Sequence, residues 1–81
     1  MGNNCVVNTQ VVIGKKDTND EMPIIGDNCE VNAGCRIFGK ITIGDNVKIG
    51  PNSVVFKDVP SDAVVSGIPA KIIKLNGVKI Q

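Results

Sequence analysis

The chain is a short, nearly neutral sequence of 81 residues, with a net charge of +1 and no histidine or tryptophan. Hydrophobic residues make up 42% of it but only Phe38 and Phe56 are aromatic, which favours a narrow aliphatic core over a globular one. Residues 15–30 contain two lysines and five carboxylates, and residues 57–81 contain four lysines and two carboxylates. These small charges argue against nucleic acid or an anionic membrane as a partner and leave small anionic ligands open.

An aliphatic residue returns at every sixth position through the middle of the chain. The members of this first series are Ile25, Val31, Ile37, Ile43, Ile49 and Val55. A second series, displaced by two positions, contains small or apolar residues: Cys29, Cys35, Ile41, Val47, Ser53 and Val59. A period of six fits neither a helix nor a plain strand, so each unit is a short strand followed by a turn. Repeats of this kind wind into parallel β-helices.

Three such units make one coil of a three-sided prism, about eighteen residues long. Ile25 is therefore expected beside Ile43, and Val31 beside Ile49, at strand spacings of roughly 4.8 Å. The same register extends backwards through five more residues: Met1, Val7 and Ile13 in the first series, Cys5 and Val11 in the second.

The chain divides into four parts of one β-helix domain. Residues 1–14 form a partial first coil, 15–23 an extruded loop, 24–60 the regular coils and 61–81 a C-terminal extension. The loop is predicted because its residues offer little to bury, and inserted loops in repeat proteins gather on the functional face. An irregular polar side of the prism is the alternative interpretation.

The corners of the prism are predicted at polar pairs such as Asp27-Asn28 and Asp45-Asn46, and at Pro51-Asn52. A residue that tolerates positive φ precedes each corner. These residues are Gly26, Asn32, Gly44 and Gly50.

The C-terminal extension predicts a turn at Gly67 that leads the chain off the last coil, with Pro69 ending the ladder. Residues 71–75 alternate partly and indicate a strand, and Asn76-Gly77 predicts a tight turn into a hairpin-like ending. No helix is predicted anywhere.

The three cysteines all fall in the second inward series. Their separations of 24 and 6 predict that Cys5, Cys29 and Cys35 lie on different sides of the prism, as buried thiols that do not form a metal cluster. No metal is expected. With no apolar run of membrane-spanning length and no leader, the expected location is cytoplasmic.

Three segments carry a resemblance to a known family. They are residues 43–55, the run Lys57-Asp58-Val59-Pro60, and the run Gly67-Ile68-Pro69-Ala70-Lys71, which is the most specific of the three. This pattern resembles the C-terminal end of hexapeptide-repeat acyltransferases, above all serine O-acetyltransferases and sugar O-acetyltransferases. The resemblance covers nearly all of the chain.

The resemblance implies a left-handed parallel β-helix that assembles as a homotrimer, with acetyl-CoA as co-substrate in a groove between neighbouring prisms. In such enzymes a histidine acts as general base on the hydroxyl of a small-molecule acceptor. In the serine acetyltransferase group one histidine position falls on Met22, and the principal one lies upstream of Met1. A thioether accepts no proton near neutral pH, so no catalytic residue is assigned. The alternative bases, Asp20 and Glu21, are expected to be solvated, which leaves them poor bases.

The resemblance carries over five cofactor-binding positions. Small coil residues suit a backbone that approaches the pantetheine arm, while lysines suit the nucleotide phosphates. The positions are Ala33, Pro51, Phe56, Lys57 and Lys74. Pro51 has no N–H, so any backbone donor required at that position is missing.

The leading functional hypothesis is the C-terminal β-helix of an acetyl-CoA-dependent O-acetyltransferase, inactive as this histidine-free chain. The alternative is a non-catalytic trimeric scaffold, or a coenzyme A-binding module for a partner chain. A γ-class carbonic anhydrase is excluded because it needs histidine ligands for zinc. The acceptor itself does not follow from the sequence.

Overall fold

The computed structural model describes residues 1–14 and 22–80, and within them every regular element is a strand. The strands are β1 (Val6–Val7), β2 (Val12–Gly14), β3 (Ile24–Ile25), β4 (Glu30–Val31), β5 (Arg36–Phe38), β6 (Thr42–Ile43), β7 (Lys48–Ile49), β8 (Val54–Val55), β9 (Ala63–Ser66), β10 (Lys71–Leu75) and β11 (Val78–Lys79). None of the described residues forms a helix that could cross a membrane.

The strands stack into the three walls of a parallel β-helix, as the six-residue period predicts. Wall 1 contains β1, β4, β7 and β9 in order and ends with β10 and β11, wall 2 contains β2, β5 and β8, and wall 3 contains β3 and β6. The predicted register is confirmed, because Ile25 pairs with Ile43 and Val31 with Ile49. Between Ile25 and Val55 the chain thus advances one wall per hexapeptide and one coil per three.

Both inward series form the core. Every member of the first series is at most 3% exposed, and every member of the second at most 8%. Ser53 is the polar member. Its hydroxyl donates to the Gly50 carbonyl at 2.8 Å and accepts from the Gly67 N–H at 3.2 Å, so its burial leaves no unsatisfied group.

The cysteine prediction is wrong for one pair. Cys5 and Cys29 lie in the same column of wall 1, because Val6 pairs with Glu30 directly after them. Eleven positions separate Ile13 from Ile24 in the first coil, where five separate their partners Ile37 and Thr42 in the next. These six extra residues leave the hexapeptide phase intact but lengthen the coil from 18 to 24 residues. Cys35, in contrast, does lie on wall 2.

The predicted column of Val59 is also wrong. Val59 pairs with Ile43, a member of the first series, not with Ile41 of the second. Val55 pairs with Ile37, so the corner between Val55 and Val59 is two residues shorter than the corner between Ile37 and Ile43 in the preceding coil. This shortening shifts the hexapeptide phase by two positions. Parallel pairing nevertheless continues past residue 60, where Val65 of β9 pairs with Ile49.

The predicted source of positive φ at the corners is wrong as well. The left-handed residues are the asparagines of the corner pairs, Asn28, Asn46 and Asn52, with φ of 57–59°. Gly26 and Gly44 serve a different purpose, close approach of successive coils. A Cβ on Gly26 would lie 2.8 Å from the Gly44 carbonyl oxygen.

Three C-terminal predictions are confirmed: Gly67 has a φ of +107°, 71–75 is a strand, and β10 and β11 form an antiparallel hairpin. The prediction that Pro69 ends the ladder is wrong, because the next residue, Ala70, donates its N–H to the Val54 carbonyl and β10 pairs with β9. The loop prediction over 15–23 falls mostly outside the described residues. Of this segment the structure describes Met22, which is exposed, and Pro23, which is buried.

Burial raises the pKa of the Cys29 thiol, and the neighbouring Cys5 adds to this rise. The folded chain therefore keeps the Cys29 proton at pH values where the unfolded chain releases it. The resulting stabilisation is complete below the pKa of an unfolded thiol, about 8.5, and is lost as the pH rises from there through the higher folded-state pKa. We expect the free energy of unfolding to decrease above about pH 8.5, as measured by urea titrations in a phosphine reductant. The Cys29→Ala variant should show a shallower decrease, and equal pH slopes for the two proteins would contradict the expectation.

Candidate functional site

The sequence departs from its six-residue repeat at the shortened corner after β8. This corner brings an aromatic ring, an ammonium group and a carboxylate close together in the chain. Phe56, Lys57 and Asp58 occupy it, all exposed. The Asp58 carboxylate accepts a hydrogen bond of 2.8 Å from the backbone N–H of Thr42. This contact joins the corner to the preceding coil.

An aromatic stack supports the corner from the preceding coil. The rings of Phe38 and Phe56 lie with their centroids 5.8 Å apart and their planes 19° from parallel. Offset stacking at this separation is favourable beyond simple burial. Phe56 therefore presents a positioned apolar surface although the side chain is 40% exposed.

A cavity of about 150 Å³ lies against this corner. Its lining consists of residues 54–59, Val65 and residues 69–72. Most of the wall is apolar, and Lys57, Lys71 and Asp58 supply the charged groups. This combination suits a ligand with an apolar portion and an anionic portion.

The C-terminal segment forms one side of the cavity by folding back onto wall 2. Val54 donates from its N–H to the Gly67 carbonyl at 3.1 Å and accepts at its carbonyl from the Ala70 N–H at 2.8 Å. The chain then reverses into β10, which pairs antiparallel with β9. The run from Gly67 to Lys71 thus places Ala70 and Lys71 beside the corner.

The structure brings together some of the predicted cofactor residues and separates others. Phe56 and Lys57 both line the cavity. Ala33 and Pro51 stack on each other at the corner between walls 1 and 2, where the Asn52 N–H donates to the Ala33 carbonyl at 2.9 Å. Lys74 lies on wall 1, exposed and directly opposite Lys79. Within one chain these five residues form three separate groups.

Sequence reasoning missed the residues that the C-terminal segment contributes. Pro69, Ala70, Lys71 and Ile72 line the cavity but were not predicted as site residues. A signal was present, because the run ending in Lys71 is the most specific part of the resemblance. The missing information was the backward fold of this run onto β8.

The expected histidine position gives no catalytic group in the structure. Met22 is 45% exposed, next to the buried Pro23. The alternative bases Asp20 and Glu21 lie outside the described residues. Within residues 1–14 and 22–80, no three histidine, cysteine or carboxylate side chains are close enough together to hold a metal ion.

Comparison with known proteins identifies the repeat. Residues 22–57 match the family described as "Bacterial transferase hexapeptide (six repeats)". Residues 22–57 are thus a hexapeptide repeat of the kind found in that family. This match, the parallel walls and the structural similarities below confirm the expected left-handed parallel β-helix of the hexapeptide-repeat acyltransferases.

Serine acetyltransferases are among the relatives of this chain. It is 40% identical to a serine acetyltransferase of Synechococcus elongatus over 99% of its own length and 34% of that protein. A crystal structure of serine acetyltransferase from Brucella abortus strain S19 superposes with a TM-score of 0.85 at 35% identity, covering 94% of this chain and 32% of the other. The same enzyme in complex with coenzyme A gives a TM-score of 0.77 at 34% identity, covering 89% and 32%. The chain spans about a third of the length of the relatives it matches.

Proposed function

We propose that this chain is the coenzyme A-binding β-helix of an acetyl-CoA-dependent O-acetyltransferase of the serine acetyltransferase kind. The supporting observation is its similarity, over 89% of its length, to a serine acetyltransferase solved with coenzyme A. In this proposal acetyl-CoA is the co-substrate and a small molecule with a hydroxyl group is the acceptor. No metal takes part.

The cavity at the shortened corner is the proposed cofactor contact of a single chain. The ring of Phe56 and the apolar wall suit the pantetheine arm, which has no charge. Lys57 and Lys71 suit the phosphates, because a lysine ammonium acts as a mobile point charge for such groups. Both lysines line the cavity.

The other predicted cofactor residues enter the proposal through a second copy of the chain. Ala33 and Pro51 lie at a different corner from Phe56, and Lys74 lies on wall 1. A groove between two prisms of a homotrimer would be lined by different corners from its two sides. We therefore assign Ala33, Pro51 and Lys74 to the neighbouring chain's side of that groove.

The proposed contribution of these 81 residues is binding, not proton transfer. The sequence contains no histidine, and the thioether of Met22 accepts no proton from a hydroxyl near neutral pH. We expect no acetyl transfer by the isolated chain at ordinary enzyme rates. The lack of histidine also favours the second candidate, a non-catalytic trimeric scaffold or coenzyme A-binding module for a partner chain.

The Lys57→Glu variant tests the cofactor half of the proposal. The substitution replaces attraction for the phosphates with repulsion, so we expect coenzyme A to bind at least about tenfold more weakly, or about 1.4 kcal/mol. Isothermal titration calorimetry measures the affinity, and sedimentation of the same samples gives the oligomeric state.

Lys48→Glu is the matched control, because Lys48 is an exposed lysine on wall 1 outside the cavity lining. It should leave the affinity within about twofold of the unchanged chain. Equal losses of coenzyme A affinity in both variants would show that the net charge of the chain, and not the position of Lys57, determines binding. A trimer that binds no coenzyme A at millimolar concentration would favour the scaffold, and rapid acetyl transfer to serine would contradict the assignment of binding alone.

A further inference from the structure

Two of the three cysteines are neighbours across the first and second coils. Cys5 and Cys29 precede the paired residues Val6 and Glu30, and the Val6 N–H donates to the Cys29 carbonyl at 2.9 Å. Adjacent parallel strands lie about 4.8 Å apart. That separation falls inside the range of Cα distances that a disulfide spans, about 4.4–6.8 Å. Both side chains belong to the inward series, so they point to the same side of their strands.

Each of these thiols now makes only weak hydrogen bonds, to two backbone carbonyls, of which the nearer is at 3.2 Å in both cases. Cys5 donates from its Sγ to the Gly26 carbonyl and Cys29 from its Sγ to the Gly44 carbonyl, both at 3.2 Å. An S–H group is a weak donor, so turning the sulfur away from either carbonyl loses little.

The two thiols differ in their accessibility to solvent, and this difference sets the order in which they react with an oxidant. Cys5 is half-buried in the first coil, whereas Cys29 is 1% exposed. An oxidant in solution therefore reaches Cys5 first, and Cys29 is the enclosed neighbour. Cys35 is also fully buried, but it lies on wall 2 beside Ser53 and has no cysteine in its column.

We propose that Cys5 and Cys29 form an oxidant-responsive pair that closes to a disulfide between the first two coils. With a peroxide as oxidant, the Cys5 sulfur attacks the O–O bond and becomes a sulfenic acid, and one water leaves. The Cys29 sulfur then attacks the Cys5 sulfur, the S–O bond breaks, and the departing hydroxide takes the Cys29 proton to form a second water. Two thiols and one peroxide thus give one disulfide and two waters.

The disulfide would tie the first coil to the second. It closes a covalent ring through residues 5–29, which includes all of the residues that lengthen the first coil. Six more residues separate β2 from β3 in the first coil than separate β5 from β6 in the second. A cross-link at this place restricts the unfolded chain and keeps the coil paired in the folded one. We expect oxidation to raise the thermal midpoint, and a dithiol reductant to reverse the change.

The test treats the reduced, purified chain with hydrogen peroxide, blocks the remaining thiols with an alkylating agent and measures the intact mass. We expect one alkylated cysteine in place of three and the loss of two hydrogen atoms. Cleavage after Lys15 and after Glu30 separates the three cysteines onto different peptides. The joined peptides should be those of Cys5 and Cys29, with Cys35 carrying the label.

Variants test whether Cys5 reacts first and Cys29 second, as opposed to unselective oxidation of all three cysteines. Cys35→Ser should form the disulfide as the unchanged chain does, leaving no cysteine to label. In Cys5→Ser the Cys29 thiol should react with peroxide at least tenfold more slowly, because its accessible partner is gone. Three labelled cysteines after oxidation, a Cys5–Cys35 link, or covalent dimers formed through Cys5 would each overturn the proposal.

Discussion

Replacing Gly26 with alanine is expected to destabilise the chain by about 3 kcal/mol. A Cβ at this position would lie 2.8 Å from both the carbonyl carbon and the carbonyl oxygen of Gly44 in the next coil. It would also contact the Asp45 carboxylate, which accepts a hydrogen bond of 2.7 Å from the Asp27 N–H. Overpacking of this kind costs about 1–3 kcal/mol, and loss of the hydrogen bond adds about 1 kcal/mol. The backbone atoms of a packed coil have no room to move aside.

Gly14→Ala is the matched control, because no atom of residues 1–14 and 22–80 lies within 4 Å of a Cβ built at Gly14. Its stability should change by less than about 0.5 kcal/mol. Thermal unfolding followed by far-ultraviolet circular dichroism measures both variants, since the chain has no tryptophan or tyrosine to report by fluorescence. For a domain of this size the expected loss corresponds to a decrease in Tm of about 10–20 °C. Equal midpoints for Gly26→Ala and Gly14→Ala would show that the coils do not need close approach at this corner.

The core could be predicted from the sequence because burial alone produces the six-residue signal. An aliphatic residue at each sixth position needs no knowledge of pairing partners, and the columns through Ile43 and Ile49 follow from counting. Counting fails where the chain gains or loses residues. The six residues gained before Ile24 equal one whole repeat and leave its phase unchanged, so counting in sixes does not detect them. Cys5 was therefore assigned to the wrong wall. The two residues lost before Val59 shift the phase, which misplaced Val59.

The cavity could not be predicted from the sequence, because it is formed by strand pairing that the local sequence does not specify. The strand at 71–75 and the turn at Asn76-Gly77 follow from local preferences. The antiparallel return of β10 onto β9 and the contact of Ala70 with Val54 are long-range choices. Lys71 was therefore not predicted to line the cavity, whereas Phe56 and Lys57, which were named from the family resemblance, do line it.

The role of the corner glycines has the same explanation. Glycine is the residue most tolerant of positive φ, so a positive φ at Gly26 was the natural prediction. Asparagine also adopts the left-handed conformation, and Asn28 does so at 57°. The second property of glycine, its lack of a Cβ, matters only when another coil lies beside it. That contact is visible only in the stacked structure.

Ile49→Ala is expected to be strongly destabilising, because it removes one of the largest fully buried side chains of the core. Ile49 is fully buried in wall 1, between Val31 of the preceding coil and Val65 of the following one. Removing three carbon atoms from such a site costs about 2–5 kcal/mol, as lost burial plus the cavity that remains. A domain of 81 residues has little stability in reserve. We therefore expect Ile49→Ala to be largely unfolded, as measured by circular dichroism in urea titrations.

Ile49→Val keeps the prediction testable when the alanine variant does not fold. It removes a single carbon from the same column, and its expected cost is about 0.5–1.5 kcal/mol. Lys48→Ala is the control on the same strand, because the neighbouring side chain points outward and is exposed. Its unfolding midpoint should lie within about 0.5 kcal/mol of the unchanged chain. If Lys48→Ala cost as much as Ile49→Val, the alternation of inward and outward side chains along β7 would not describe the protein in solution.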